Sequence, residues 1–461
     1  MKSKTRRATE AAEQTAPEMD GMTATRPAGK PDRKTGGGPV VLLAWWRRRV
    51  PKDKFVAQVL TLMSGTVLAQ IALVASAPVL TRLYDPADFT VYALFAVGAN
   101  LGAAVAAGRY EFALVLPERD EDAGNIAVLA CTLSAAAAFM ALAMVAAFYC
   151  WPTRAGDRLG DGLWIWLVPA GVLIYAWFAV AARWQSRKQR FRSIAHAEIG
   201  AAISALAVQM SAGLLLTSPS GTPLICGHLL GRSVALLILS KGMGADLFRF
   251  RGKLSRSKVK AVAKRYWRFP AFSCVGSLLG KGTREVPKLM LVALFAPQIL
   301  GLYALSNRVL GMPMALVGRS FSRAFFPKIA ACRHDKRRSR TLLLKSCRNL
   351  FLLVLAPMLI LLFWAEPIFG LLFGEQWIPA GQYTRLLIPM LTAQFVVAPL
   401  GMSMQAFEKQ RVVTLWQASF LCVSAGAFLF GHVMRSVEIA ILTYSLLSAV
   451  MYLIFLGMIL H

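Results

Sequence analysis

Long apolar runs separated by short polar connections set the pattern of this chain. Twelve runs approach the roughly 20 helical residues that span a hydrocarbon core: 55–80, 89–107, 123–149, 163–182, 194–216 and 223–240, then 269–296, 299–318, 348–364, 379–402, 412–431 and 437–459. The pattern predicts an all-α polytopic membrane protein of about twelve transmembrane helices. Residues 1–38 are polar, rich in Ala, Thr, Pro and Gly, and carry no apolar period, so they read as disordered. Pro39 to Trp46, followed by Arg47, Arg48 and Arg49, reads either as an interfacial segment on anionic lipid or as a plain topogenic tail.

Parts of the pattern occur twice. Leu83 to Leu94 aligns with Leu294 to Leu305, so that Pro86 matches Pro297 and the two Tyr-Ala-Leu triplets coincide. Gly65 matches Gly276 at the same offset, and Gly108-Arg109 with Pro117 matches Gly318-Arg319 with Pro327 one residue closer. The repeat predicts two homologous six-helix lobes, 55–240 and 269–461. A basic tail, 1–54, precedes them, and a basic linker with an amphipathic helix, 241–268, joins them.

Composition agrees with a bilayer protein: 56% of residues are hydrophobic and 16% charged, with mean hydropathy +0.53. The net charge of +29 would suit nucleic acid, but its placement excludes that partner. Lys and Arg alternate between connections: the tail holds 13, and 183–192, 241–268 and 319–348 hold five, ten and ten. With two each in 108–122 and 403–411, one side collects 42, against only Arg82, Arg154, Arg158 and Arg435 on the other. That asymmetry predicts a bacterial cytoplasmic membrane, with both termini and the basic connections in the cytoplasm. Anionic lipids are then expected against the basic segments, above all Lys258, Lys260, Lys264, Arg265 and Arg268. Seven cysteines without ligand spacing and five unclustered histidines predict neither a disulfide framework nor a metal, and no cofactor is expected.

Ionisable residues inside the apolar runs are the candidate chemistry, since charge at that depth is costly unless it faces a wet cavity. Lys281, Arg284, Glu285 and Lys288 are spaced by three and four and share one helical stripe. Arg308 lies midway along the eighth run, Arg232 one turn after His228 in the sixth, and Arg385 near the outer end of the tenth, where it is placed either to bind or to snorkel outward. Arg308 and Arg232 read either as cavity cations or as ties to a backbone carbonyl between lobes. At the inner boundary Arg109 is placed to pair with Glu111 or to meet a phosphate. Pro270, Gly276, Gly280, Gly282 and Pro287 make the seventh run a candidate for bending.

Gly65-Thr66 with Gln70, Thr81-Arg82-Leu83-Tyr84 with Pro86 and Phe89, and Arg109-Tyr110-Glu111 with Pro117 resemble the oligosaccharide flippases of the polysaccharide-transport branch of the MOP exporter superfamily. In the second half so do Arg265-Tyr266, Phe269-Pro270, Pro287, Gly301 to Leu305, Arg308-Val309-Leu310, Pro313, Phe326, Phe373-Gly374, Trp377, Ala380-Gly381, Pro389 and Phe395 to Pro399. The resemblance covers about residues 55–415. It implies a V-shaped, two-lobed MOP/MATE-like transporter that moves an undecaprenyl-pyrophosphate-linked oligosaccharide outward for exopolysaccharide, capsule or O-antigen synthesis, with a polymerase and chain-length or export proteins as further partners. At Lys281, Arg284 and Lys288 the chain departs from the family's apolar or hydroxylic pattern, so no family role carries over there.

With that cargo, Arg232, Lys281, Arg284, Lys288, Arg308, Arg385 and Arg109 are the candidate pyrophosphate and glycan contacts, and Glu285, Glu111 and His228 the candidate coupling or charge-partner groups. An ion gradient, the membrane potential and downstream glycan consumption all fit as energy sources. Two alternatives stand: a multidrug or metabolite exporter on the same scaffold, and a non-transporting component of a polysaccharide assembly complex. Catalysis is not expected, because the outer connections are short and no nucleophile or paired-carboxylate constellation faces either side.

Overall fold

The computed structural model describes residues 54–150, 162–216, 220–250, 252, 255–332 and 335–460, all within one unit, Asp53–His461. The tail with its expected interfacial segment, and Arg154 and Arg158, lie outside the described residues. Every apolar run forms a helix. In chain order these are α1 Lys54–Ala75, continued by Ala77–Leu83; α2 Pro86–Ala106; α3 Asp120–Cys150; α4 Leu167–Arg187; α5 Phe191–Leu215; and α6 Thr222–Arg249. The second half follows with α7 Cys274–Leu294, α8 Pro297–Ala331, α9 Lys336–Phe373, α10 Ile378–Val397, α11 Gln410–Val433 and α12 Val437–Leu460.

Eleven of these are long and apolar enough to cross a membrane. The exception is α7, whose Lys281, Arg284, Glu285 and Lys288 lower its hydropathy. Its packing against α2, α8 and α11 nonetheless places it inside the bundle. Several helices overrun their apolar runs at the basic end: α9 begins at Lys336 although its apolar stretch begins near residue 348. Lys and Arg are good helix formers, so the helix continues into its basic flank.

Helix pairing repeats with a shift of six. In the first half α1 packs on α5, α2 on α4, α3 on α4, α4 on α6 and α5 on α6; in the second, α7 packs on α11, α8 on α10, α9 on α10, α10 on α12 and α11 on α12. Small residues bring such pairs close. A Cβ on Gly65 of α1 would lie 2.6 Å from that of Ala195 on α5. The repeat fails locally at one of the matches expected from sequence. Gly108 and Arg109 take left-handed backbone (φ 56° and 59°) and end α2, whereas Gly318-Arg319 runs on inside α8.

The halves meet mainly through α2, which packs on both α7 and α8. The largest apolar core, built on Tyr303, Phe369, Trp377 and Leu387 of the second half, also takes in Leu80, Tyr84 and Phe89 of the first. Those three lie where α1 turns into α2, at the charge-poor end of the bundle. Pro86 starts α2 there, the preceding Asp85 is extended (φ −83°, ψ 165°), and the Asp85 amide donates to Asp88 Oδ2 at 3.0 Å.

The linker forms helix Arg256–Arg265, whose N-cap Ser255 accepts from the Lys258 amide. It docks on the first half: Val262 is buried beside Ala123 and Ile126, and Tyr110 Oη donates to the Ala263 carbonyl at 3.2 Å. A π-helical turn, Phe269–Ser273, containing Pro270, leads into α7. Beyond it α7 is one continuous helix through Pro287, so the irregularity is confined to its entry. The six described free cysteines form no disulfide, and no group of metal-ligating side chains occurs among the described residues.

Candidate functional site

The charged stripe of α7 faces three different environments. Lys281 reaches into the other half, where Nζ donates to the Asn100 carbonyl of α2 at 2.9 Å. Lys288 is neutralised by Glu285, Nζ to Oε2 2.7 Å, a contact that the i,i+3 spacing allows. Arg284, between them, is exposed and makes no hydrogen bond or ion pair among the described residues. Arg284, Glu285, Arg109 and Glu111 all lie within electrostatic reach of Lys281. Cations at this depth persist only where water or an anion can reach them.

A second group sits nearer the charge-poor end. Arg308 of α8 donates from Nη2 to the Leu73 carbonyl of α1 at 3.4 Å, so it is a tie between the halves, while its buried Nε has no partner. Tyr92 Oη and His228 Nδ1 share a hydrogen bond of 3.2 Å, and the His228 ring stands edge-on to both Tyr92 and Tyr175. Arg232 and Arg308 both act electrostatically on Tyr92 and His228. Arg232 is paired with Glu198 of α5 at 3.3 Å and lies 5.0 Å from the Phe178 ring centroid.

At the basic end Arg109 pairs with Glu111, Nη1 to Oε1 3.2 Å. Burial holds the Glu111 carboxyl above the ordinary carboxylate range, against the opposing pull of its own backbone amide and of Arg109. Arg109 and Arg183 both lie over the Phe112 ring, 4.2 and 4.3 Å from its centroid. Arg385 stands apart, on the outside of the α9–α10 contact, in an ion pair with Glu366 of 2.7 Å. It is not brought together with the other candidates.

One helix strings these contacts together. Tyr92 and Asn100 lie about 12 Å apart along α2, at 1.5 Å per residue, and Arg109 follows just beyond its end. Sequence reasoning left out Glu198, Arg183, Tyr92 and Tyr175. Glu198 had a usable signal, as an isolated acid inside an apolar run; the others acquire meaning only from the helices they face.

The charge-poor end is sealed. Thr90 Oγ1 donates to the Pro297 carbonyl at 2.7 Å and accepts from the Gly301 amide at 2.9 Å. A Cβ on Gly301 would overlap the Pro86 carbonyl oxygen. Gln376 Nε2 and Trp377 Nε1 both donate to the Thr81 carbonyl, at 3.0 and 2.9 Å, and Phe89 stands edge-on to Trp377 at 5.0 Å. The cations therefore lie on the basic side of a closed contact.

Solved structures share this architecture. An inward-facing multidrug resistance MATE family transporter of the MOP superfamily is 17% identical, covering 87% of this chain and 94% of its own, with a TM-score of 0.59. The lipid II flippase MurJ in an inward closed conformation is 11% identical, covering 87% of each chain, at 0.64. A MOP superfamily transporter from Pyrococcus furiosus, described as having a binding pocket of reversed polarity, is 14% identical, covering 89% and 97%, at 0.54. At these identities the likeness shows the fold, an all-α multi-pass bundle of the MOP transporter type. No curated protein matches the chain. The family model described as polysaccharide biosynthesis protein matches residues 79–382, most of the transmembrane body. On that match, the chain belongs to the polysaccharide biosynthesis protein family.

Proposed function

We propose that the protein is a flippase that carries an oligosaccharide linked to undecaprenyl pyrophosphate across the bacterial cytoplasmic membrane. The basic end is cytoplasmic, and both termini lie there. Loading takes place from that side, with the charge-poor end sealed by Thr90, Gly301 and Trp377. The pyrophosphate meets Arg284 and Lys281, the glycan extends past Arg308 and the Tyr92–His228 pair, and the polyprenyl tail stays in lipid. Rocking of the two halves then parts the Thr90–Gly301 and Trp377–Thr81 contacts and opens the sealed end.

The observation that carries this proposal is Arg284: an exposed guanidinium with no hydrogen-bond or ion-pair partner among the described residues, beside Lys281, on a helix packed against both halves. A guanidinium forks two phosphate oxygens and a lysine adds a point charge. An exporter of cationic drugs would need free carboxylates at this depth, whereas Glu198 and Glu285 are each engaged by a cation. Nothing in the cycle requires covalent chemistry, so the role is transport.

The test is reconstitution into sealed vesicles carrying lipid-linked oligosaccharide on one leaflet, with lectin capture reporting the other. Protein-dependent transfer of the pyrophosphate-linked glycan, without transfer of the same glycan on diacylglycerol, is expected. Equal transfer of both would contradict a pyrophosphate-reading flippase.

A further inference from the structure

A pocket of about 300 Å³ opens at the basic end of the first half, lined by Arg109, Glu111, Phe112, Ala179, Ala182, Arg183, Ser186 and Ile194. Its size is at the low end of small-molecule sites, about 300–1,000 Å³. Two guanidinium groups lie over one ring there. Stacking leaves the N–H edges of a guanidinium free for a ligand. Arg183 uses none of its own: among the described residues it makes no hydrogen bond or ion pair. Arg109 spends one nitrogen on Glu111, and the second Glu111 oxygen and Arg109 Nε are buried without partners.

The walls say what kind of anion fits. Ala179, Ala182 and Ile194 are apolar and suit the carbon stem of a lipid rather than a free ion. Arg183 sits one turn before the end of α4 at Arg187, the depth at which a headgroup lies if α4 spans the bilayer. The two guanidinium groups and one carboxylate of the lining carry a single positive charge between them, which a phosphodiester balances, and Lys281 adds attraction from outside the lining. A pyrophosphate would bring excess negative charge against Glu111, which is only 5% exposed.

We infer that this pocket holds the phosphodiester headgroup of an anionic membrane phospholipid, in a site whose lining includes none of the α7 cations, with Lys281 within electrostatic reach of its Arg109 and Glu111. It stands whether or not the cargo proposed above is correct, because it rests on Arg183, Phe112 and Arg109 rather than on Arg284.

Native mass spectrometry of the detergent-extracted full chain tests it, using phosphatidylglycerol, phosphatidylcholine, polyprenyl pyrophosphate and inorganic phosphate as probes. Phosphatidylglycerol adducts should exceed phosphatidylcholine adducts, and Arg183→Gln should lower them by about tenfold, as loss of charge-assisted hydrogen bonds implies. Arg183→Lys, which keeps the charge without the fork, should fall between, and Lys281→Gln should retain the adduct. Thermal unfolding of each variant confirms that it is folded; if Arg183→Gln does not fold, Phe112→Leu, which removes the stacking face, should show the same selective loss. Unchanged phosphatidylglycerol retention in these variants would overturn the inference. So would Arg183-dependent retention of polyprenyl pyrophosphate in place of phosphatidylglycerol, or equal protection by inorganic phosphate.

Discussion

Thr90 and Gly301 touch although 211 positions separate them, the Gly301 amide donating to Thr90 Oγ1 at 2.9 Å. The same offset aligns the two halves in sequence, so equivalent points of the repeat meet each other. The contacts around them are reciprocal: Thr90 binds the Pro297 carbonyl, while Gly301 closes on the Pro86 carbonyl. Pro86 and Pro297 are themselves a repeat pair. The seal is therefore built from equivalent points of the two halves, and any opening of this end has to part them.

Gly301→Val should wedge this crossing. Overpacking a close contact costs about 1–3 kcal/mol, here charged to the sealed state. Spin labels at the exposed positions Val79 and Leu371 should report a longer and broader distance distribution in the variant than in the parent.

Trp377→Ala removes a fully buried indole, its bond to Thr81 and its contact with Phe89. Loss of a buried aromatic costs about 3–5 kcal/mol. The variant should melt earlier than the parent, and the same label pair should show a larger open fraction. Trp377→Phe, which forfeits chiefly the hydrogen bond, should lie between.

Glu285→Gln leaves Lys288 without its counter-charge. An unsatisfied, partly buried cation should destabilise the protein by about 1–3 kcal/mol. Adding Lys288→Met should recover most of that loss, a coupling that a double-mutant cycle in thermal unfolding measures. Additive effects would mean that the pair is incidental.

Glu111 gives a pH dependence with a defined sign. Its folded-state carboxyl is held above its ordinary value by burial, so the folded chain binds a proton more tightly than the unfolded chain. Stability from this group falls as pH rises through the window between the unfolded and folded values, and the cost is complete above it. Glu111→Gln should therefore raise the melting temperature at neutral pH, and the gain should shrink as pH is lowered through that window.

The sequence carried much of this architecture. The repeat around Pro86 and Pro297, the twelve helices and the charged stripe of α7 were legible because hydrophobic period and spacing are local properties. Glu285 was legible as a charge partner for the same reason, and the structure assigns it Lys288. Partners on other helices were not: nothing near Arg232 announces Glu198, and nothing near Arg385 announces Glu366. Arg308 carried two open readings, and the bond to the Leu73 carbonyl that fits one of them lies on another helix. Gly108-Arg109 misled in another way, since a matched dipeptide turns the chain in one half and stays helical in the other. Arg183 went unnoticed because it stood among five basic residues, and only the Phe112 ring distinguishes it.

The most direct measurement of the central claim is lipid-linked oligosaccharide transfer in reconstituted vesicles by the Lys281→Gln/Arg284→Gln double variant, compared with parent protein at equal folded yield. Loss of transfer with an unchanged melting profile is the result expected if these two cations hold the pyrophosphate between the halves. Transfer at the parent rate would contradict it.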